Sequence, residues 1–352
     1  MLPIASRLCG LHAQVMSSAE LTVWARAEKL GRQDVQRAVW DERSLVKTWA
    51  MRGTLHLLPA AELPLWHAAL STSRRYLRPA AWKKYFDISM EELDAITDAI
   101  GRALKNRVLT REELAKEVGR LTGSAKLGTK LAQSSWGVML KPAAFAGGLC
   151  FGPSVAQRVR FTHPSTWLSP SQRAFDLQTA TKEVTRRFLA AYGPATHRDL
   201  ARWWNGGGIV TGRQWITSLG DEVAPVKVEG SAAWMLAADV PEIKNVRPGR
   251  SVRLLPGFDQ YVVGASCHVE QLMPTGALRS RVYRPQGWIS AVLLVNGRIY
   301  GTWRHEIGGM RVKVVIDAFS EVPSWVRRGA EEEAERLAQF LGHGLELEVK
   351  SG

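Results

Sequence analysis

The chain has 352 residues, enough for two or three domains with a well-buried core. Its 47 Lys and Arg against 33 Asp and Glu leave a net charge of +14, an excess beyond simple solubility that points to a polyanionic partner, nucleic acid being the commonest. No apolar run is long enough to span a bilayer, no long amphipathic basic helix is found and the first ten residues lack the apolar core of a secretory signal, so neither a membrane partner nor export is expected, and a cytoplasmic location is.

Leu11-His12-Ala13-Gln14 places two polar side chains one residue apart, just before a helix start. Ser17 and Ser18 can cap that helix, which carries Leu21, Trp24 and Ala25 on one face. Asp34 opens a second short helix with Val35, Ala38 and Val39 inward. The stretch Thr48-Trp49-Ala50-Met51-Arg52-Gly53-Thr54-Leu55-His56-Leu57-Leu58-Pro59 then reads as two strands about a tight turn. Trp49, Met51, Leu55 and Leu57 alternate at period two, and Gly53 supplies permissive backbone beside Arg52 at the tip. Helix, helix, hairpin is the second half of a winged helix, and Arg52 is its basic wing tip.

The pattern returns after Ser89. Leu93, Ile96, Ile100 and Leu104 fall at helical spacing, and Thr110-Arg111-Glu112-Glu113 is a capping box. A third helix is expected over Lys126–Ala146, kinked at Pro142, with Lys141 near its end. A wing follows, with its turn at Gly152-Pro153; Val159 and Phe161 face one side, Arg158 and Arg160 the other. A third copy starts with Ala180, Val184 and Phe188, stops at Gly193-Pro194, and continues through a helix over Thr196–Trp204 and a Gly206-Gly207-Gly208 loop. Its last helix holds Arg213, Trp215, Ile216 and Leu219, before strands near Val226–Val228 and Trp234–Leu236. Trp203 and Trp204 are read as core rather than as base-stacking groups.

From about Ser251 strands dominate: Val252–Leu255, Val292–Val295, Arg298–Trp303 around an Asn296-Gly297 type I′ turn, and Met310–Val315. A helix over Ser324–Leu341 buries Val326, Ala330, Leu337 and Leu341. The expected fold is α+β, with three tandem winged-helix units (1–88, 89–170 and 171–245) followed by a small C-terminal β-barrel with a helix (246–352). The three cysteines, Cys9, Cys150 and Cys267, are too few for a four-cysteine cluster and too scattered for disulfides. Cys267-His268 lacks zinc-ligand spacing, and no Walker-type loop is present, so neither a metal nor another cofactor is expected.

Three stretches, 11–14, 48–59 and Val252 to Gly264, resemble the signatures of the AlkZ/YcaQ-type winged-helix DNA glycosylases, and the likeness extends over nearly the whole chain. The resemblance implies a further helix ahead of the catalytic motif, which this chain starts almost on top of, so a shortened first unit is expected. It also implies a catalytic pair of Gln, an apolar residue and Gln (Asp in the YcaQ branch). Gln14 matches the second member; His12 stands where the first is usually Gln. An N7-alkylated purine already carries positive charge and leaves as a neutral base, so the protein needs no acid. It needs only to stabilise an oxocarbenium-like sugar and orient a water, work that an amide carbonyl does without adding positive charge. A neutral His12 accepts a hydrogen bond in the same way and would titrate near pH 6–7. The plain alternative is that both residues are polar groups satisfied near a helix start. Asp259, in a Pro-Gly-Phe-Asp corner, is read as turn-forming rather than as a catalytic acid.

The expected partner is double-stranded DNA carrying alkyl adducts, bound by a monomer, with Arg52, Lys141, Arg158, Arg160 and Arg213 as phosphate contacts. The expected activity is that of a monofunctional DNA glycosylase removing bulky N7-alkylguanines, in base excision repair or antibiotic self-resistance. The rivals are a non-catalytic winged-helix DNA binder and a protein-interaction module; the charge weighs against the second.

Overall fold

The computed structural model describes residues 1–73, 77–169, 174–204, 208–247, 249–264, 269–273 and 275–352. Cys267-His268 and Gly206-Gly207 lie outside them. Up to Leu236 one order of elements occurs three times. First, helix Leu2–Arg7 leads to strand β1 (Leu11–His12), helices Met16–Trp24 and Arg32–Trp40, and strands β2 (Leu45–Trp49) and β3 (Leu55–Pro59). The antiparallel sheet runs β1-β3-β2. Next, helix Met90–Leu104 leads to β4 (Val108–Thr110), helices Arg111–Leu121 and Ala125–Gln133, and strands β5 (Cys150–Val155) and β6 (Arg158–Thr162), ordered β4-β6-β5. Last, helix Leu177–Tyr192 leads to Ala195, helices His197–Trp204 and Gly208–Thr217, and the hairpin of β7 (Val223–Val228) and β8 (Ser231–Leu236). Ala195 bridges to Trp234 of β8, repeating the short-first-strand pairing of the other two sheets.

Local chemistry fixes many of these boundaries. Ser89 and Thr110 accept from the amides three residues on, with Glu92 and Glu113 reaching back, as the capping-box spacing predicts. Ser17 and Ser18 cap nothing: helix Met16–Trp24 starts two to three residues earlier, after Val15, and Ser18 is buried within it. Helix Leu2–Arg7 precedes β1, so the first unit has the leading helix that the sequence reading did not find.

The helix expected over Lys126–Ala146 is interrupted. It ends at Gln133, turns through Ser135–Gly137 with Trp136 and Gly137 both left-handed (φ 53° and 64°), and resumes as a short helix at Lys141–Phe145. Gly152 and Pro153 lie inside β5 rather than in its turn. The turn falls at Ala156-Gln157, where Ala156 has φ 52°, and the register slips between Gly152 and Val155. Phe161 points into the core, whereas Val159, in the overhanging half of the hairpin, is exposed.

The C-terminal strands do not close into the expected barrel. They form an open five-stranded sheet ordered β13 (Gly344–Ser351), β12 (Arg311–Ala318), β11 (Arg298–Gly308), β10 (Ala291–Val295) and β9 (Val252–Leu255). Asn296 and Gly297 make the predicted tight turn between β10 and β11, both with positive φ. Helix Ser324–Leu341 crosses from β12 to β13, which therefore pair in parallel and leave β13 on the edge opposite β9. The same helix buries Val326, Ala330, Ala334 and Leu337 against the sheet, so the apolar face is covered without closure.

Leu21 and Trp24 of helix Met16–Trp24 belong to this C-terminal core. Arg26 then donates two hydrogen bonds to the fully buried Asp259 (2.7 and 2.8 Å), and Gln260 donates to the Gly10 carbonyl. The corner after β9 is thereby clamped against β1, which frames the site.

Candidate active site

β1 is short but well anchored. His12 pairs with His56 across β3, and the Ala13 amide donates to the Leu55 carbonyl at 2.7 Å. Strand alternation buries Ala13 and turns His12 and Gln14 to one face. Gln14 is exposed, and its Oε1 accepts a long hydrogen bond from the Leu55 amide (3.4 Å). His12 is only 5% exposed. Its ring stacks flat on Phe258 (centroids 5.0 Å apart, 8° between planes) and meets His56 edge-on at 5.6 Å. Phe258 has φ 60°, held by the clamped corner, and its far side meets Trp288 edge-on.

His12 and Gln14 line one cavity of about 640 Å³ with Arg52, Lys141, Phe258 and Trp288. An adjoining cavity of about 510 Å³, lined by Trp49, Arg111, Phe151 and Arg158, shares Gln14 and Trp136 with the first. The sequence-predicted pair is therefore brought together, and two of the predicted cations join it. Arg52 is not at an exposed wing tip. Helix His197–Trp204 packs on its turn, so Arg52 is half-buried and donates to the Trp203 carbonyl at 2.9 Å. Burial brings its pKa down to about 10, which leaves it charged at neutral pH. Lys141, expected near a surface helix, is buried at the start of helix Lys141–Phe145.

Arg158 is exposed in the second cavity. Arg160 is half-buried, donating to the Pro153 carbonyl at 2.8 Å. Arg213 is exposed on its helix and lines neither cavity. Trp203 and Trp204 are core residues, as the sequence reading had them. Asp259 does shape its turn, but it is also the buried half of the Arg26 ion pair.

His56 was missed, because nothing in the sequence said that β1 pairs with β3 and sets the two imidazoles opposite each other. The Thr54 carbonyl can only accept, so the proton lies on His56 Nδ1 (3.0 Å) and Nε2 carries a lone pair. His56 Nε2, His12 Nδ1 and Arg52 Nη2 are all buried without a partner among the described residues. Burial, then the Arg52 charge, pushes the His12 pKa down to about 3, and the same two causes hold His56 well below the ordinary imidazole range. The titration of His12 near pH 6–7 expected from the sequence is therefore corrected: the ring is neutral throughout that range.

The consequence for stability has a definite sign. His12 has a native pKa of about 3 against an ordinary 6.5. Its contribution is complete above pH 6.5 and is lost as pH falls toward the native value, because the unfolded chain takes the proton first. Over that window His12 alone should lower stability by about 1.4 kcal/mol per pH unit. His56 and His67, also depressed, act in the same direction. Urea titrations at a series of pH values measure this slope. A pH–rate profile should show no imidazole step between about pH 5 and 8.

The AlkZ-like DNA glycosylase family matches residues 5–340. A curated relative from Streptomyces sahachiroi, named an interstrand DNA cross-link repair glycosylase, is 35% identical over 344 residues, covering 96% of this chain and 90% of its own. The solved structure of the Streptomyces sahachiroi DNA glycosylase AlkZ superposes with a TM-score of 0.87 at 34% identity, covering 98% of this chain and 92% of its own. With one family spanning almost its whole length, the chain belongs to the AlkZ-like DNA glycosylases.

Proposed function

We propose that the chain is a monofunctional DNA glycosylase that hydrolyses the N-glycosidic bond of N7-alkylated purines, bulky guanine adducts above all, and that it unhooks interstrand crosslinks of this chemistry. One observation carries the reading: among the described residues, the cavity that His12 and Gln14 line together holds no carboxylate, and Glu112 lines the adjoining cavity that shares Gln14 but not this one. His12 stays neutral far below physiological pH. Such a lining puts no carboxylic acid or imidazolium beside the pair to protonate a neutral leaving base. It suits a base that already bears positive charge and departs neutral. Gln14 is read as orienting the attacking water and stabilising the sugar through its carbonyl dipole, with His12 as the second acceptor. Arg52 and Lys141 are read as facing the phosphates that flank the lesion, whose charge offsets theirs.

The three repeated segments are read as winged-helix units (1–88, 89–170 and 171–245), and 246–352 as the domain closing the far wall. The support is a topology used three times: helix, short strand, two helices, hairpin, with the short strand paired to the hairpin's second strand. Arg158, Arg160 and Arg213 are read as phosphate contacts of these units. Two adjoining open cavities, rather than one closed pocket, suit a bulky or crosslinked nucleotide that cannot be fully extruded.

Single-turnover incubation with duplex DNA carrying one N7-alkylguanine tests the reading. Free base and an intact abasic site support it. Strand cleavage with a borohydride-trapped adduct at Lys141 would make the enzyme a lyase instead, and binding without base release would favour the DNA-binder alternative. Affinity should also fall with salt, with a log–log slope of roughly −4 or steeper for about five neutralised phosphates. A flat salt response would remove the cationic residues from the interface.

A further inference from the structure

Trp136 belongs to no packed cluster that explains it. Its side chain is 79% exposed, between the two cavities and beside Gln14. Its backbone is left-handed (φ 53°, ψ 18°), a sparsely populated region for so bulky a residue. The surrounding structure enforces it. The Trp49 ring is pressed onto the next residue, Gly137, where an added Cβ would lie 2.4 Å from the ring. Arg111 donates to the Ser134 carbonyl at 2.8 Å, and the Met139 amide donates to Ser134 Oγ at 3.2 Å. The backbone that presents the indole is thus fixed from several sides, at a place where the lining also carries Arg111, Arg158 and Lys141.

We propose that Trp136 is a stacking residue for DNA at the lesion, packing its indole on the face of a nucleobase next to the adduct and so seating the adduct's sugar over Gln14. The proposal rests on the glycosylase reading above. A flat π-surface among cations is the combination that binds unstacked nucleotides: cations follow the phosphates and the ring takes a base of any identity. The fixed backbone matters because the segment that presents the ring needs no ordering of its own when DNA arrives. Trp288, 49% exposed, lines only the first cavity; among the described residues Trp136 is the one exposed aromatic that borders both.

The test compares the wild type with Trp136→Ala, Trp136→Leu and Trp136→Phe. The probes are a duplex with one N7-alkylguanine beside a 2-aminopurine and the same duplex without the adduct. Stacking of one base predicts that the protein concentration half-saturating the damaged duplex rises roughly 5–150-fold for Ala and Leu. Phe, which keeps a ring, should stay within about threefold of the wild type, and undamaged-duplex affinity should barely change. The 2-aminopurine signal should respond to the wild type and Phe but not to Ala or Leu. Ala and Leu variants that bind and signal like the wild type overturn the proposal. So does an equal loss in all three variants with lowered melting temperatures, which would make Trp136 structural. If the wild type bound the damaged duplex but released no base, the glycosylase reading would fail while the binding and fluorescence comparisons still decided the role of Trp136.

Discussion

Gln14→Ala is expected to lower the single-turnover rate of base release by roughly 10²–10³-fold, the usual cost of removing one preorganised electrostatic partner. Folding and DNA affinity should stay close to wild type. The amide is exposed and, among the described residues, its one hydrogen bond is the long one from the Leu55 amide; Leu55 lines the adjoining open cavity, where water can take over as acceptor. The strand pairing is carried by the Ala13 backbone, which the substitution does not touch. His12→Gln should retain measurable activity, because an amide oxygen can replace the imidazole as acceptor. His12→Ala is a harsher change, since it also removes the ring stacked on Phe258. If Gln14→Ala releases base at the wild-type rate, the pair is structural and the non-catalytic DNA binder becomes the better reading.

Much of this site was legible in the sequence because it lies in short, locally coded segments. His12-Ala13-Gln14 alternates about a small residue, and Thr110 and Ser89 carry their capping partners three residues on. What was not legible depends on contacts distant in sequence. Arg52 sits at a turn, as its neighbours predicted, but only the packing of a helix some 150 residues away makes it a wall of the cavity. His56 looked like one more strand residue until the pairing of β3 with β1 set it opposite His12. The break at Trp136 had no local punctuation beyond Gly137, because Trp49 enforces it from another element. The barrel failed for a similar reason. Period-two strands specify a sheet, but whether its edges meet is decided by the crossover helix that sends β13 away from β9.

The clamp behind the site should carry a large stability effect. Arg26→Ala is expected to cost about 3–5 kcal/mol, the usual penalty for leaving one half of a buried pair uncompensated. Asp259 is 0% exposed and receives both prongs of the guanidinium, at 2.7 and 2.8 Å. With Arg26 gone, its remaining donor is the Tyr261 amide at 2.9 Å, too little to hold a carboxylate out of water. The effect should reach the chemistry, because Phe258, next in sequence to Asp259, is what the His12 ring stacks on. At temperatures where the variant is still folded, base release should therefore also slow. Adding Asp259→Asn to Arg26→Ala removes the buried charge but keeps an oxygen for the Tyr261 amide, and should restore part of both losses. Chemical denaturation of the two variants measures this. If Arg26→Ala unfolds within about 1 kcal/mol of the wild type, the pair is not what holds the corner. The stacking of Phe258 on His12 must then be maintained by the Gln260–Gly10 hydrogen bond and by the apolar packing of Leu21 and Trp24 on the C-terminal sheet.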